Sequence, residues 1–400
     1  MEINKPYLFI EINDKNFIFF VVQYNDNFDY EVVYKDSIKS EGITNGKIID
    51  QNVSSKILKD KLNFIEKKIN YTFKNATIIS DQDNYNCINA SGFKKLKGSQ
   101  ILDEDISHIL NNVKKLITDN EPDKSLIHLF NTSYILDKNI LSNLPIGLHG
   151  DFYNHHLTFF LLPKKDIKNL KLVLNSCHLE IERIILKPFV QGLYEIKKNK
   201  NSNKLFLINL KKNKTNISIF NNFSFIFSQN FKFGTNIIMK DVSKLCSLDL
   251  ETVKDIFEEI NFNLSQENNE DKYLSEKYFK SKGSRKISFN HLENIIKARI
   301  DELISLIYDK NINIKDFKEE NKTVYIFFED KNIFNNFKKF FQNCFSENHK
   351  VVFKNITQDE QLNSCLASAE LIGKGWEKEA IPVIHTKKSL ISRIFSNIFK

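Results

Sequence analysis

Leu205-Phe206-Leu207-Ile208-Asn209-Leu210-Lys211-Lys212-Asn213-Lys214-Thr215-Asn216-Ile217-Ser218-Ile219-Phe220 holds two apolar, β-rich runs, 205–210 and 216–220, around the polar turn 211–214. Turn formers between two such runs predict a β-hairpin. The same arrangement opens the chain, where runs 7–12 and 17–24 flank Asn13-Asp14-Lys15-Asn16. A strand-turn-strand that recurs in each half of the chain is most economically an internal duplication.

Outward from the first hairpin come a third apolar run, 30–34, and a turn at Gly42-Ile43-Thr44-Asn45-Gly46. Ile57, Leu58, Leu62, Ile65 and Ile69 then recur at helical spacing over 54–69, and a strand follows at 76–79. Strands leading into a helix open an α/β layer structure. Residues 81–144 have a character of their own, with a helix over 103–117, Asp103 as its N-cap, and a strand at 126–130. A strand at 157–162, a helix over 166–177 and a short apolar run at 181–186 complete the first half. After the second hairpin, a polar stretch at 265–282 leads into a helix over 289–308. A strand at 323–328 and a helix over 333–341 follow.

Composition narrows the function. The 400 residues exceed what one core carries, so two or more domains are expected, and 41% hydrophobic with 27% charged residues marks a globular chain. Apolar runs such as 17–22 fall far short of the roughly 20 residues that span a bilayer. The run 7–10, between Lys5 and Glu11, does not read as a signal peptide, so a cytoplasmic location is expected. Eleven glycines argue against a function that rests on several glycine-rich phosphate loops. Only Arg183, Arg285, Arg299 and Arg393 are arginines, so the charge of +8 is a lysine excess of the kind an AT-rich genome produces. Arginine is the residue of bidentate phosphate and guanine recognition, and no nucleic-acid partner is expected. Five scattered cysteines without a C-x-x-C fit reduced thiols, and nine histidines without ligand spacing give no metal site.

The last twelve residues carry the clearest physical signal. On a helix, Leu390, Ile391, Ile394, Phe395, Ile398 and Phe399 fall within an arc of about 180°, opposite Ser392, Arg393 and Lys400. Lys387 and Lys388 precede them. That layout suits a helix lying in an anionic membrane interface, with Arg393 and Lys400 near the head groups. A helix docked on the protein's own core has the same pattern.

Several segments resemble the bacterial cell-division family FtsA. Residues 42–50 resemble its "GI-x-x-G-x-I-x-D" segment, and 144–150 its "P-[IV]-G-M-x-G", with Leu148 for Met. Residues 184–191 are similar to its "V-L-x-P-x-A", and 285–299 to its "R-x-I-x-x-x-x-L-x-x-I-I-x-x-R" helix. The amphipathic terminus lies where that family carries a membrane-targeting helix. The matches keep the family's order across nearly the whole chain.

The resemblance implies an α/β, actin-like two-domain fold around a nucleotide cleft, with an inserted subdomain. The implied divisions are 1–74 and 149–195 for the first domain, 75–148 for the insert, 196–375 for the second domain, 376–388 for a linker and 389–400 for the membrane helix. Implied nucleotide contacts are Glu11, Asn13, Lys15, Lys212, Lys214, Thr215 and Gly234, with Glu251 and Lys254 matching an "E-x-x-K" near the nucleoside. The family's first loop, "D-I-G-[ST]-[ST]-K", is Glu11-Ile12-Asn13-Asp14-Lys15-Asn16 here. Its second, "D-I-G-G-G-T-T-D", is residues 209–216. Both have lost their glycines and the second its two carboxylates, one of which would help hold magnesium. Glycine matters there because backbone N–H groups must approach phosphate closely. ATP is therefore implied by the resemblance alone, and no hydrolysis is expected.

The resemblance further implies the C-terminal peptide of the tubulin-like FtsZ as partner, on Arg285, Asn294 and Arg299. It also implies self-association into filaments, contact with other division proteins, and a peripheral place on the inner membrane at the division site. The alternatives are an actin-like ATPase and a scaffold of the pilus-assembly PilM kind.

Overall fold

The computed structural model describes residues 5–199, 204–260, 262, 273–279, 286–317, 323–345, 350–356 and 358–380. The membrane-helix residues 389–400 and Arg285 lie outside them.

The chain begins with β1 (Pro6–Ile12), β2 (Asn16–Tyr24) and β3 (Tyr30–Lys39), then the short pair β4 (Ile43–Thr44) and β5 (Lys47–Ile48). Helix α1 (Gln51–Ile69) and β6 (Asn75–Ser80) follow. Next come β7 (Asn86–Lys95), α2 (Asp103–Asn120), β8 (Lys124–Leu136), β9 (Asn139–Leu141) and β10 (Phe152–Pro163). Helix α3 (Lys164–Ser176), β11 (Glu180–Leu186) and α4 (Lys187–Lys198) lead to the second half. That half holds β12 (Lys204–Leu210), β13 (Thr215–Asn221), β14 (Ser224–Phe231), α5 (Asn236–Cys246), α6 (Leu250–Glu259) and α7 (Phe289–Ile304). It ends with β15 (Thr323–Phe328), α8 (Lys331–Asn343), β16 (Lys350–Asn355) and α9 (Gln358–Lys374).

The duplication is present in full. One five-stranded sheet runs β11-β6-β1-β2-β3, and another runs β16-β15-β12-β13-β14. In each, a hairpin (Ile12 opposite Phe17, Leu210 opposite Thr215) is extended by parallel strands on one side and an antiparallel strand on the other. The central strands are continuous apolar runs because both faces are covered. Phe17 to Val22 are all buried, with Leu58, Leu62 and Ile65 of α1 in the same core.

Local chemistry sets the helix ends. Helix α1 starts three residues before the expected 54 because the Asp50 carboxylate accepts the Val53 N–H at 3.0 Å. Asp103 is not the cap of α2. Leu102 is, and the Asp105 carboxylate takes its N–H at 3.0 Å. Helix α7 ends at Ile304, and the expected stretch to 308 continues as a wider π-helical turn, Ser305–Asp309.

Long-range pairing redraws the expected divisions. Strand β6 is buried between β1 and β11, so it belongs to the first sheet and not to the insert. Strand β10 is an inner strand of the four-stranded sheet β7-β10-β8-β9, so that unit runs from β7 through β10 instead of ending at 148. Helix α9, expected with the second domain, crosses back over the first sheet and α4. There Tyr24 Oη donates to the Ala369 carbonyl at 2.7 Å.

The expected linker begins as a docked strap. The Asn131 N–H donates to Lys378 O and the Ala380 N–H to Leu129 O, both at 2.8 Å, along β8. Glu379 Oε1 accepts from His128 Nδ1 at 2.5 Å and from Arg183 Nη2 at 2.6 Å. His128 Nε2 takes the Leu186 N–H at 3.0 Å, which leaves the ring proton on Nδ1. Trp376 Nε1 donates to Phe223 O at 2.7 Å.

His155 on β10 is fully buried, with Nε2 2.9 Å from Asn131 Oδ1. Burial pushes its pKa down to about 4. An unfolded histidine takes a proton near pH 6.5, which the folded one refuses until about 4, so stability falls as pH drops through that window. His128, also lowered by burial, acts in the same direction. His155→Gln is expected to flatten this acid slope of the unfolding midpoint, measured between pH 7 and 4 (about 2–3 kcal/mol at its full extent).

Candidate functional site

The C-terminal ends of the parallel strands from both sheets face one cleft, the place where open α/β sheets bind ligands. Strand β1 delivers Glu11 and the turn residues Asn13, Asp14 and Lys15. Strand β6 delivers Asp81, β11 Lys187, β12 Lys211 and Lys214, and β15 Glu329.

Nearly every charge in the cleft already has a partner. Glu11, fully buried, holds Lys187 Nζ at 2.6 Å and accepts from Asn13 Nδ2 at 3.0 Å. Asn13 Oδ1 takes the Lys15 and Asn16 N–H groups at 3.0 and 2.9 Å and closes the first turn on itself. Lys211 pairs with Asp81. Lys214 lies 3.6 Å from Asp14 and 4.0 Å from Asp83. Lys15 reaches Glu329 at 3.2 Å, and Lys212 reaches Asp330 at 3.6 Å while its N–H donates to Glu329 at 3.0 Å. These five lysines face six carboxylates.

The electrostatics follow from that pairing. Burial acts to raise the Asp81 pKa, but Lys211, Lys187 and Lys214 outweigh it and hold the carboxyl well below its usual range. Burial acts to lower that of Lys187, and Glu11 and Asp81 outweigh it, so the ammonium is held charged. Glu329 is likewise lowered against its burial, by the Lys212 N–H and by Lys15 and Lys211.

The residues present do not fit a nucleoside triphosphate. Side chains occupy both turns where close phosphate approach needs glycine. The N–H groups of Thr235 and Asn236, at the start of α5, are spent on Lys211 O and Lys212 O at 3.0 and 2.9 Å. The ion-paired side chains Asp81, Lys187, Lys211 and Lys214 line both the inner part of the cleft, beside Asn209, and its mouth, beside Lys15. Among the described residues no group of histidine, cysteine and carboxylate side chains is arranged to hold a metal ion.

The expected contacts divide three ways. Glu11, Asn13, Lys15, Lys212 and Lys214 meet at the cleft. Thr215 is buried and turned away, its hydroxyl donating to Phe233 O at 2.8 Å. Glu251 is exposed on α6, and Lys254 pairs with Glu258 at 3.8 Å, beside a recess that Lys15, Lys212 and Glu329 of the cleft also line.

Gly234 has a packing role. A Cβ there would lie 2.1 Å from the Lys211 carbonyl oxygen, so Gly234→Ala is expected to cost about 1–3 kcal/mol in a denaturant titration. Asp81 and Lys187 were not among the expected site residues. Each follows the last residue of a buried parallel strand, and that position is the signal that could have found them.

On α7, Asn294 is exposed, and among the described residues its side chain bonds along its own helix, to Asn290 at 3.2 Å. Arg299 is engaged by Asp241 of α5 and by Glu302 at 2.5 Å. No described helix is long and apolar enough to cross a membrane.

No family model matches the chain. It is 20% identical to the cell division protein FtsA of Neisseria meningitidis serogroup B over 312 residues, 77% of this chain and 74% of that protein. It is also 20% identical to FtsA of Buchnera aphidicola over 306 residues, 71% and 70% of the two. Among solved structures, the PilM-PilN type IV pilus biogenesis complex superposes with a TM-score of 0.56 at 8% identity, covering 92% of this chain and 99% of that one. The repeated sheets and these likenesses agree: the chain has the actin-like fold and is similar to FtsA proteins along most of its length.

Proposed function

We propose that this chain is a cell-division scaffold that holds FtsZ filaments to the cytoplasmic face of the inner membrane and helps gather later division proteins. The observation that carries the reading is the similarity to FtsA cell-division proteins over 77% of the chain. In this reading residues 389–400 insert Leu390, Ile391, Ile394, Phe395, Ile398 and Phe399 into the interface, beside Arg393 and Lys400. The FtsZ peptide docks on the α7 subdomain through Arg285 and Asn294, with Arg299 held in its two ion pairs as a support. The body self-associates, and ATP is not hydrolysed.

Liposome flotation tests this with the full chain and a chain ending at Lys388, each with and without FtsZ. The full chain is expected to carry FtsZ to the vesicles and the shortened one to leave it in solution. If both stay in solution, the membrane reading fails. The likeness to the PilM-PilN complex favours a second reading, a scaffold that binds a peptide of a membrane protein. Such a scaffold needs no free membrane helix, so both chains staying in solution would favour it.

A further inference from the structure

We propose that the ion pairs of the cleft take the place of a bound nucleotide and clamp the two halves of this actin-like fold together. The inference rests on the fold and not on the FtsZ reading. Four links run from one half to the other: Asp81 to Lys211, Asp14 to Lys214 at 3.6 Å, Asp83 to Lys214 at 4.0 Å, and Lys15 to Glu329 at 3.2 Å. Asn230 Nδ2 adds a hydrogen bond to Asp83 O at 2.7 Å, and Tyr85 Oη lies 2.6 Å from Ser228 Oγ.

Beneath them the Lys187 ammonium neutralises Glu11 at the end of β1. A buried carboxylate needs a cation or a proton, and here the chain supplies the cation itself. An incoming triphosphate would have to break these pairs and leave Asp81, Asp14 and Glu329 facing added negative charge. The clamp therefore makes closure of the cleft independent of nucleotide. Among the described residues Glu11 Oε2 and Asn209 Oδ1 are buried without a hydrogen-bond partner, so magnesium alone belongs in the test as a second ligand.

The test uses the full chain. Its thermal midpoint is expected to stay unchanged in millimolar Mg-ATP, Mg-ADP or magnesium chloride. A rise of several degrees with any of them overturns the proposal, because a ligand that binds the native state must raise the midpoint.

Amide exchange then reads the clamp directly. Lys214→Glu is expected to speed exchange in the two facing turns, 11–16 and 209–216, about tenfold, and adding Asp14→Lys to restore part of the protection, Asp83 still lying beside position 214. Unchanged exchange in Lys214→Glu, or no recovery in the double variant, overturns it. If Lys214→Glu does not fold, Lys214→Met supplies the same exchange readout.

Discussion

Phe225→Ala is expected to lower stability by about 3–5 kcal/mol, the usual cost of deleting a fully buried phenyl ring. Phe225 is the second residue of β14 and stacks on Phe160 at 4.3 Å and on Phe220 at 4.7 Å. Phe130 and Phe189 close the cluster at 5.8 and 6.1 Å. These rings come from three parts of the molecule: Phe130 and Phe160 from the four-stranded sheet, Phe189 from α4, and Phe220 with Phe225 from the second half. A void here also removes the packing that couples those parts. The urea transition followed by circular dichroism is expected to shift down and to broaden, as cooperativity between domains weakens. A sharp transition at the original midpoint would show that the cluster is not the junction.

Arg183→Met is the second large effect, about 3–5 kcal/mol, because it removes the cation beside a buried carboxylate. Glu379 is 1% exposed, and burial acts to raise its pKa, but His128 and Arg183 outweigh it and keep the carboxyl ionised. Without Arg183 the charge faces, among the described residues, the His128 ring, which burial has already pushed toward its neutral form. A carboxylate with a lowered pKa stabilises the fold above its ordinary value, and that contribution is lost as pH falls through the folded value. The variant has forfeited the contribution already, so its deficit is expected to narrow below about pH 4.5. Arg183→Lys, which keeps the charge, should cost clearly less. Trp376 is the single tryptophan and sits at the root of the strap, so its fluorescence reports release of residues 376–380 in the same titration.

Much of the fold was legible because its signals are local. The two polar turns between apolar runs marked both hairpins, and the registers Ile12–Phe17 and Leu210–Thr215 place the turns where the residues put them. The strand at 323–328 has the bounds its apolar run gives. Helix ends were less legible because a cap depends on one side chain reaching one N–H. Leu102 carries no acceptor, yet it caps α2 through Asp105 three residues on.

The site was half legible. Glu11, Asn13 and Lys15 sit in a turn that the sequence marks, whereas Asp81 and Lys187 gain their roles only from partners far along the chain, Lys211 and Glu11. The strap was misread for the same reason. Glu379 looks like a solvated linker residue until β8 brings His128, and β11 Arg183, against it.

By itself, the sequence determined the repeated strand-turn-strand, the helical stripes, the loss of glycine from both turns and the amphipathic pattern of residues 389–400. Each is written in residues only a few positions apart, where spacing alone sets geometry. Tertiary structure alone decided that β6 joins the first sheet, that α9 returns to the first half and that the lysines of the cleft are neutralised. Those outcomes depend on which distant strand ends meet, and on burial making an unpaired charge too costly to leave.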